Sequence, residues 1–206
     1  MKEIYTIGHS NHINKYFVNL LKNHGINCLV DVRSMPYSKF TPQYNKEDLK
    51  KYLKLNQIYY VFMGDELGAR RNDKSLYTNE GYLDFDKTSK SILFQEGIER
   101  LKKGLHKGYN IALMCTEKDP IDCHRNILVA RELFRQNIEI KNIHEDSSIE
   151  TQTELEERLL NLYFPNRMQL TLIDLPKDRN EYLTEAYRLR NRDIAYSLEN
   201  DIAKVL

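Results

Sequence analysis

Residues 111–126 read Ile-Ala-Leu-Met-Cys-Thr-Glu-Lys-Asp-Pro-Ile-Asp-Cys-His-Arg-Asn, and residues 127–136 continue Ile-Leu-Val-Ala-Arg-Glu-Leu-Phe-Arg-Gln. The head of this stretch is an unbroken apolar run of strand length. The tail repeats apolar residues at helical spacing. Between them, twelve residues hold two of the three cysteines, one of the six histidines and an arginine. A strand that gives way to a helix at such a cluster is the recurring unit of a parallel α/β sheet.

The same alternation extends outward. Ile4–Ile7, Cys28–Val32, Ile58–Phe62, Asn110–Met114 and Ile138–Ile143 read as five strands. Tyr16–His24, Lys46–Leu55, Ser91–Lys103 and Asp122–Gln136 read as helices between them. The expected fold is therefore three layers, α/β/α, around a mostly parallel sheet of about five strands. It occupies residues 1–150. Residues 151–206 change in character and form a helical C-terminal extension. A charged helix over Thr151–Leu162 is followed by a long one over Arg179–Val205 with the stripe Leu183, Tyr187, Ile194, Leu198, Ile202, Val205. Such a stripe packs on the core or on a partner, and a homodimer through this helix is the second expectation.

The 206 residues carry 31 Lys and Arg against 30 Asp and Glu, which gives no global attraction to nucleic acid or anionic lipid. No apolar stretch reaches the roughly 18 residues of a membrane span. The opening MKEIYTIGHS reads as a strand, not a leader, and three cysteines do not make a disulfide framework, so a cytoplasmic protein with reduced thiols is expected.

In open parallel sheets, ligands bind beyond the carboxyl ends of the strands. There the sequence places Gly8-His9-Ser10, Asp31-Val32-Arg33-Ser34 and Cys115-Thr116-Glu117, with Cys123-His124-Arg125 at the next helix start. Asp119 and Pro120 suit a helix start, with Asp122 as the capping-box acid. Arg125 opposes the helix dipole there, which an anion held between it and the free N–H groups would reverse. An ion pair with an acid such as Asp31 is the alternative. Asp31 and Arg33 equally suit a salt-bridged pair. Cys123 falls on the apolar stripe with Ile127, Ala130 and Phe134, as a small buried hydrophobe would. Cys115 at the strand end is a candidate reactive thiol. Cysteine-phosphatase and rhodanese-like domains use a similar plan with about five residues between cysteine and arginine. Here there are nine. Side chains adjacent on a helix project about 100° apart, so Cys123 and His124 are not expected to share an ion, and no metal or cofactor is predicted. Loop residues Tyr37, Lys39, Phe40, Tyr44, Arg70, Arg71, Lys74 and Tyr77 offer aromatic faces and cations suited to bases and phosphates.

Four motifs in order, TIGHSN, DVRSMPYS, LGARR and ALMCTEKDPIDCHRNILVA, resemble the domain of unknown function 488 family over about residues 4–145. The resemblance implies a compact bacterial or archaeal α/β domain. In it His9, Ser10, Asp31, Arg33, Ser34, Pro36, Cys115, Glu117, Cys123, His124 and Arg125 carry the pattern; Arg70 lies in a variant of its motif.

The leading expectation is a hydrolase or transferase acting on a nucleotide or nucleic-acid substrate. His9, Asp31, Cys115 and His124 would be catalytic. Ser10, Arg33, Ser34, Tyr37, Arg70, Glu117, Cys123 and Arg125 would bind the small anionic or phosphate-bearing ligand. Arg33 and Arg125 hold the anion in this reading, and Asp31 orients a histidine. A thiol-dependent enzyme using Cys115 and a non-catalytic binding module are the other two classes.

Overall fold

The computed structural model describes residues 2–167 and 178–197. A six-stranded sheet runs through it in the order β3-β2-β4-β1-β5-β6. The strands are β1 (Glu3–Gly8), β2 (Cys28–Asp31), β3 (Tyr59–Phe62), β4 (Ile111–Cys115), β5 (Glu139–Ile143) and β6 (Ile149–Thr151). All neighbours pair in parallel except β6, which runs antiparallel to β5. Helices α1 (Asn14–Asn23) and α2 (Lys46–Leu55) precede the short α3 (Gly64–Leu67) and α4 (Phe85–Ser89). They are followed by α5 (Ile92–His106), α6 (Arg131–Arg135), α7 (Gln152–Tyr163) and α8 (Arg179–Ile194).

Why the central strands read as continuous apolar runs is visible in the burial. Ile111 through Cys115 are all buried because both faces of β4 are covered. Alternate side chains serve two separate cores. Tyr5, Leu29, Ala112 and Met114 pack with α1 and α2. Ile4, Val30, Leu113 and Cys115 pack with α5, α6, α7 and α8 on the other face. Cys115 therefore points toward the segment that carries Cys123.

The connection leaving β1 runs to β2 on one side of the sheet, whereas the connection leaving β4 crosses β1 to reach β5. The neighbouring carboxyl ends of β1 and β4 thus form the switch point at which such sheets bind ligands.

Three expectations change. A sixth strand closes the edge. The predicted helix over 122–136 is instead a 3₁₀ turn at Pro120–Asp122, an extended Cys123 (φ −134°, ψ 138°), a π-helical Arg125–Ala130 and the short α6. The Asp119 carboxylate accepts from Ile121 N–H and caps only that turn, so it does not start a longer helix. The last helix ends at Ile194 with Ala195 extended; Leu198, Ile202 and Val205 lie outside the described residues. α8 packs on the chain itself: Ala186 and Tyr187 are buried, and Asn191 bonds the backbone of Leu83 and Phe85. No helix among the described residues is long and apolar enough to cross a membrane.

Candidate functional site

Two buried polar clusters sit at the carboxyl edge of the sheet. The first is built on β1 and β2. The Asp31 carboxylate accepts from Arg33 Nε at 2.9 Å and NH2 at 2.7 Å, and from the Tyr60 hydroxyl at 2.7 Å. Arg33 also donates to the Tyr44 carbonyl at 2.7 Å. Its NH1 lies 3.2 Å from His9 Nε2. A guanidinium has no lone pair to offer, so Nε2 accepts. The other ring nitrogen donates to the Ser10 carbonyl at 2.8 Å, which fixes the tautomer. The ring stacks on Tyr44 with centroids 4.0 Å apart. Burial, and then the Arg33 charge, lower the His9 pKa to about 4. His9 is thus a neutral, packed imidazole. Asp31 holds Arg33 and Tyr60 and orients no histidine.

The second cluster is built on β4 and the segment after it. Cys115 Sγ and Cys123 Sγ lie 3.7 and 3.8 Å from His124 Nδ1. Cys123 Sγ lies 2.8 Å from Glu117 Oε2, and Arg125 N–H points at the same sulfur at 3.4 Å. His124 Nε2 donates to the Val32 carbonyl at 3.0 Å. The side chains of Cys115, Cys123 and His124 present donor atoms all within 4.8 Å of one another. The expectation that Cys123 and His124 diverge rested on a helix running through both. Cys123 is extended, and the two side chains converge.

The electrostatics of this cluster are coupled. Burial pushes the Cys115 thiol well above its ordinary range. Burial opposes ionisation of Cys123 too, but the Cys115 hydrogen bond and the charges of Arg125 and His124 outweigh it and hold Cys123 well below that range. For His124, burial is outweighed by hydrogen bonding and attraction to Cys123, which raise its pKa. Burial and the Cys123 charge raise Glu117. The thiol with the lowered pKa is therefore Cys123, while Cys115 behaves as a buried strand cysteine, the alternative to a reactive thiol.

Arg125 is completely buried. Its NH1 and NH2 donate to the Glu117 and Lys118 carbonyls at 2.7 and 3.3 Å. Among the described residues it pairs with no acid, and it folds the 116–118 loop. Gly8 supports that loop from the other side, since a Cβ there would meet the Glu117 carbonyl oxygen at 1.9 Å.

A cavity of about 350 Å³ opens beside the second cluster, bordered by Arg33, Ser34, Arg70, Cys115, Glu117 and His124. Its far wall is Ile194, the last residue of α8, with Ala195 and Tyr196 just after it. The Tyr196 carbonyl accepts from Leu83 N–H, which holds this wall down. A larger cleft of about 1210 Å³ shares Ser34, Met35, Arg70 and Tyr196 with it. Arg70 sits at the junction, its guanidinium 4.5 Å from the Tyr196 ring centroid and its backbone N–H bonded to Ser34 Oγ.

The model of the family described as domain of unknown function DUF488 matches residues 14–131. The chain belongs to the DUF488 family. No curated protein and no solved structure matched the chain in the same comparisons. The matched span covers β2, β4 and the Cys123-His124-Arg125 segment of the DUF488 domain.

Of the remaining sequence candidates, Ser10 takes a positive φ of 46° in the turn after β1 and does not border the cavity. Tyr37 is exposed and bonds Glu47. Two contributors were not anticipated. Tyr196 comes from a region read as an appendage. Asn126 is buried, and its amide bonds Asn142 and Gln152, which secures the start of the π-helical segment. Its place directly after Cys-His-Arg was the one available signal.

Proposed function

We propose that this DUF488 protein is an enzyme that acts on a small phosphate-bearing substrate of nucleotide size, held across the cavity with the cysteine–histidine cluster at its side. One observation carries the reading: Cys115, His124, Arg33 and Arg70 border one cavity that runs into a wider cleft. The cleft adds Arg71, Lys74 and Lys90 to Arg70, against Asp65 and Asp73, and an apolar side made by Ile92, Leu93 and Tyr77. Cations beside apolar and aromatic faces suit a phosphate next to a base. Arg33 pairs with Asp31 and Arg125 with loop carbonyls; Arg70, which borders both the cavity and the cleft, is proposed as the residue that meets the anion.

The test is calorimetric titration with nucleoside mono- and diphosphates and with a short single-stranded oligonucleotide, on wild type and Arg70→Ala. Loss of one charge-assisted hydrogen bond weakens binding roughly tenfold or more. If every anion fails to bind, or binds both proteins equally, the reading is wrong.

A thiol-dependent enzyme is the second reading. The lowered Cys123 pKa favours it. It requires one thiol of the native protein to react with iodoacetamide well ahead of the others; uniform resistance removes it.

A further inference from the structure

We propose that Cys115, Cys123 and His124 form a binding site for a thiophilic divalent cation, Zn²⁺ above all, with three protein ligands and a fourth position facing the cavity.

The distances carry the argument. With Zn–S near 2.3 Å and Zn–N near 2.0–2.1 Å, a tetrahedral site requires S···N edges of about 3.6 Å. The two S···N distances in the structure are 3.7 and 3.8 Å. The sulfur–sulfur edge, about 3.8 Å in such a site, lies within 4.8 Å here, so a bound ion would require the two thiols to approach by no more than about 1 Å.

The ring of His124 is set for ligation. Its Nε2 carries a proton because it donates to the Val32 carbonyl. In the neutral ring, Nδ1 therefore holds the lone pair, and Nδ1 is the atom that faces both sulfurs. A histidine oriented through its second nitrogen by a carbonyl is the usual outer support of a metal ligand.

The backbone explains how neighbours in sequence share one site. Cys123 is extended and the π-helical turns begin only at Arg125, so residues 123 and 124 are not held to helical divergence. Wide π turns recur at functional sites.

Charge and composition select the ion. Two thiolates and one neutral imidazole neutralise a divalent cation, which lets the charge sit in a buried place. Sulfur and nitrogen donors favour zinc over magnesium or calcium. Binding releases both thiol protons to solvent: Zn²⁺ and two RSH give Zn(SR)₂ and two H⁺. Cys28 supplies the internal contrast. It is equally buried, lies on β2, and burial alone accounts for its raised pKa of about 11.

Three ligands beside a cavity fit the class of zinc site that keeps a place for water or substrate. Cys115, Glu117 and His124 all border that cavity. Glu117 Oε2, at the Cys123 sulfur, is the group placed to take a proton from a molecule in the open position. The role of the open position rests on the enzyme reading above; metal binding itself rests on the side-chain geometry alone.

The experiment uses the full chain, reduced and stripped of metal by a chelator. Zn²⁺ is titrated in competition with a chromophoric chelator, and Co²⁺ is used as a spectroscopic substitute. The expected result is one ion per chain, bound tighter than about 1 µM. Co²⁺ should give sulfur-to-metal charge transfer and the strong visible bands of a four-coordinate site. Cys115→Ser and Cys123→Ser should each weaken Zn²⁺ binding more than about 100-fold, beyond what loss of a supporting hydrogen bond costs. Cys28→Ser should leave binding unchanged. Should a site variant fail to fold, wild type still decides: zinc should shield Cys115 and Cys123, and not Cys28 once the chain is opened by mild denaturant, from alkylation mapped by mass spectrometry. A folded, reduced wild type that takes up no Co²⁺ with sulfur charge transfer overturns the proposal, as does Zn²⁺ binding unaltered in both site variants. Repeating the nucleotide titration on zinc-free and zinc-loaded chains separates the two readings. Zinc bound without nucleotide leaves this inference standing and removes the substrate. Nucleotide bound without zinc does the opposite.

Discussion

The two polar clusters lie on neighbouring strands, are comparably buried, and do different things with their polar atoms. Around Asp31, the charged groups and the imidazole are all paired: the carboxylate is shared by Arg33 and Tyr60, and the neutral His9 accepts from Arg33. Around His124, two thiols face one imidazole nitrogen and a carboxylate meets one of the sulfurs, so the contacts at that nitrogen are only weak sulfur hydrogen bonds. A cluster that closes on itself is architecture. A cluster with donor atoms in surplus, beside a cavity, has capacity left for a ligand. The comparison teaches that side-chain type alone does not separate the two roles, since histidine and an acid occur in both.

The strongest way to break this contrast is Asp31→Ala. It leaves the Arg33 charge buried and unpaired, which costs about 3–5 kcal/mol, read as a fall in the urea midpoint. A loss below about 1 kcal/mol would mean that the first cluster is not structural. Next is acid. The His9 pKa is about 4 in the folded state and near 6.5 otherwise. A depressed histidine contributes stability that is complete above about pH 6.5 and lost as pH falls through about 4. The loss is about 3 kcal/mol across that window. Relative to wild type, His9→Gln should flatten the stability curve there; identical curves would show that His9 does not titrate as described. Cys115→Ser and Cys123→Ser come third. Near-isosteric and still hydrogen-bonded, each should cost only about 1 kcal/mol. If they cost as much as Asp31→Ala, the two clusters are both structural and the contrast fails. The smallest effect is that of Arg70→Ala on stability, about 0.5–1 kcal/mol, the size of a partly exposed cation–π contact such as the one it makes with Tyr196. A larger loss by thermal melting would make it a packing residue.

Much of this was legible in the residues. β1, β2 and β4 announced themselves as apolar runs because they are covered on both faces, and the C-terminal strand ends gathered the motif residues as the parallel topology requires. β6 was not legible: Ile149-Glu150-Thr151 is short and half polar, and only its pairing with β5 makes it a strand. The break at Cys123 was hidden because Asp119-Pro120 is an equally good start for a three-residue turn and for a long helix. The role of Arg125 was misread for a related reason. Near a helix start a cation suggests an anion, but here the acceptors are carbonyls of a loop folded back over it. The Tyr196 wall depends on a return of the chain after α8 that no local pattern encodes.

The π-helical stretch at Arg125–Ala130 sets the rotational phase of the residues that precede it. A π turn amounts to one residue added to an α-helix. Deleting a single residue there would let the helix close to ordinary pitch, swinging whatever precedes it by about 100° while α6 kept its seat on the sheet. The sulfur atoms and the imidazole would part company at a stroke. The extra residue of the π turns and the extended backbone at Cys123 together aim Cys123 and His124 at β4.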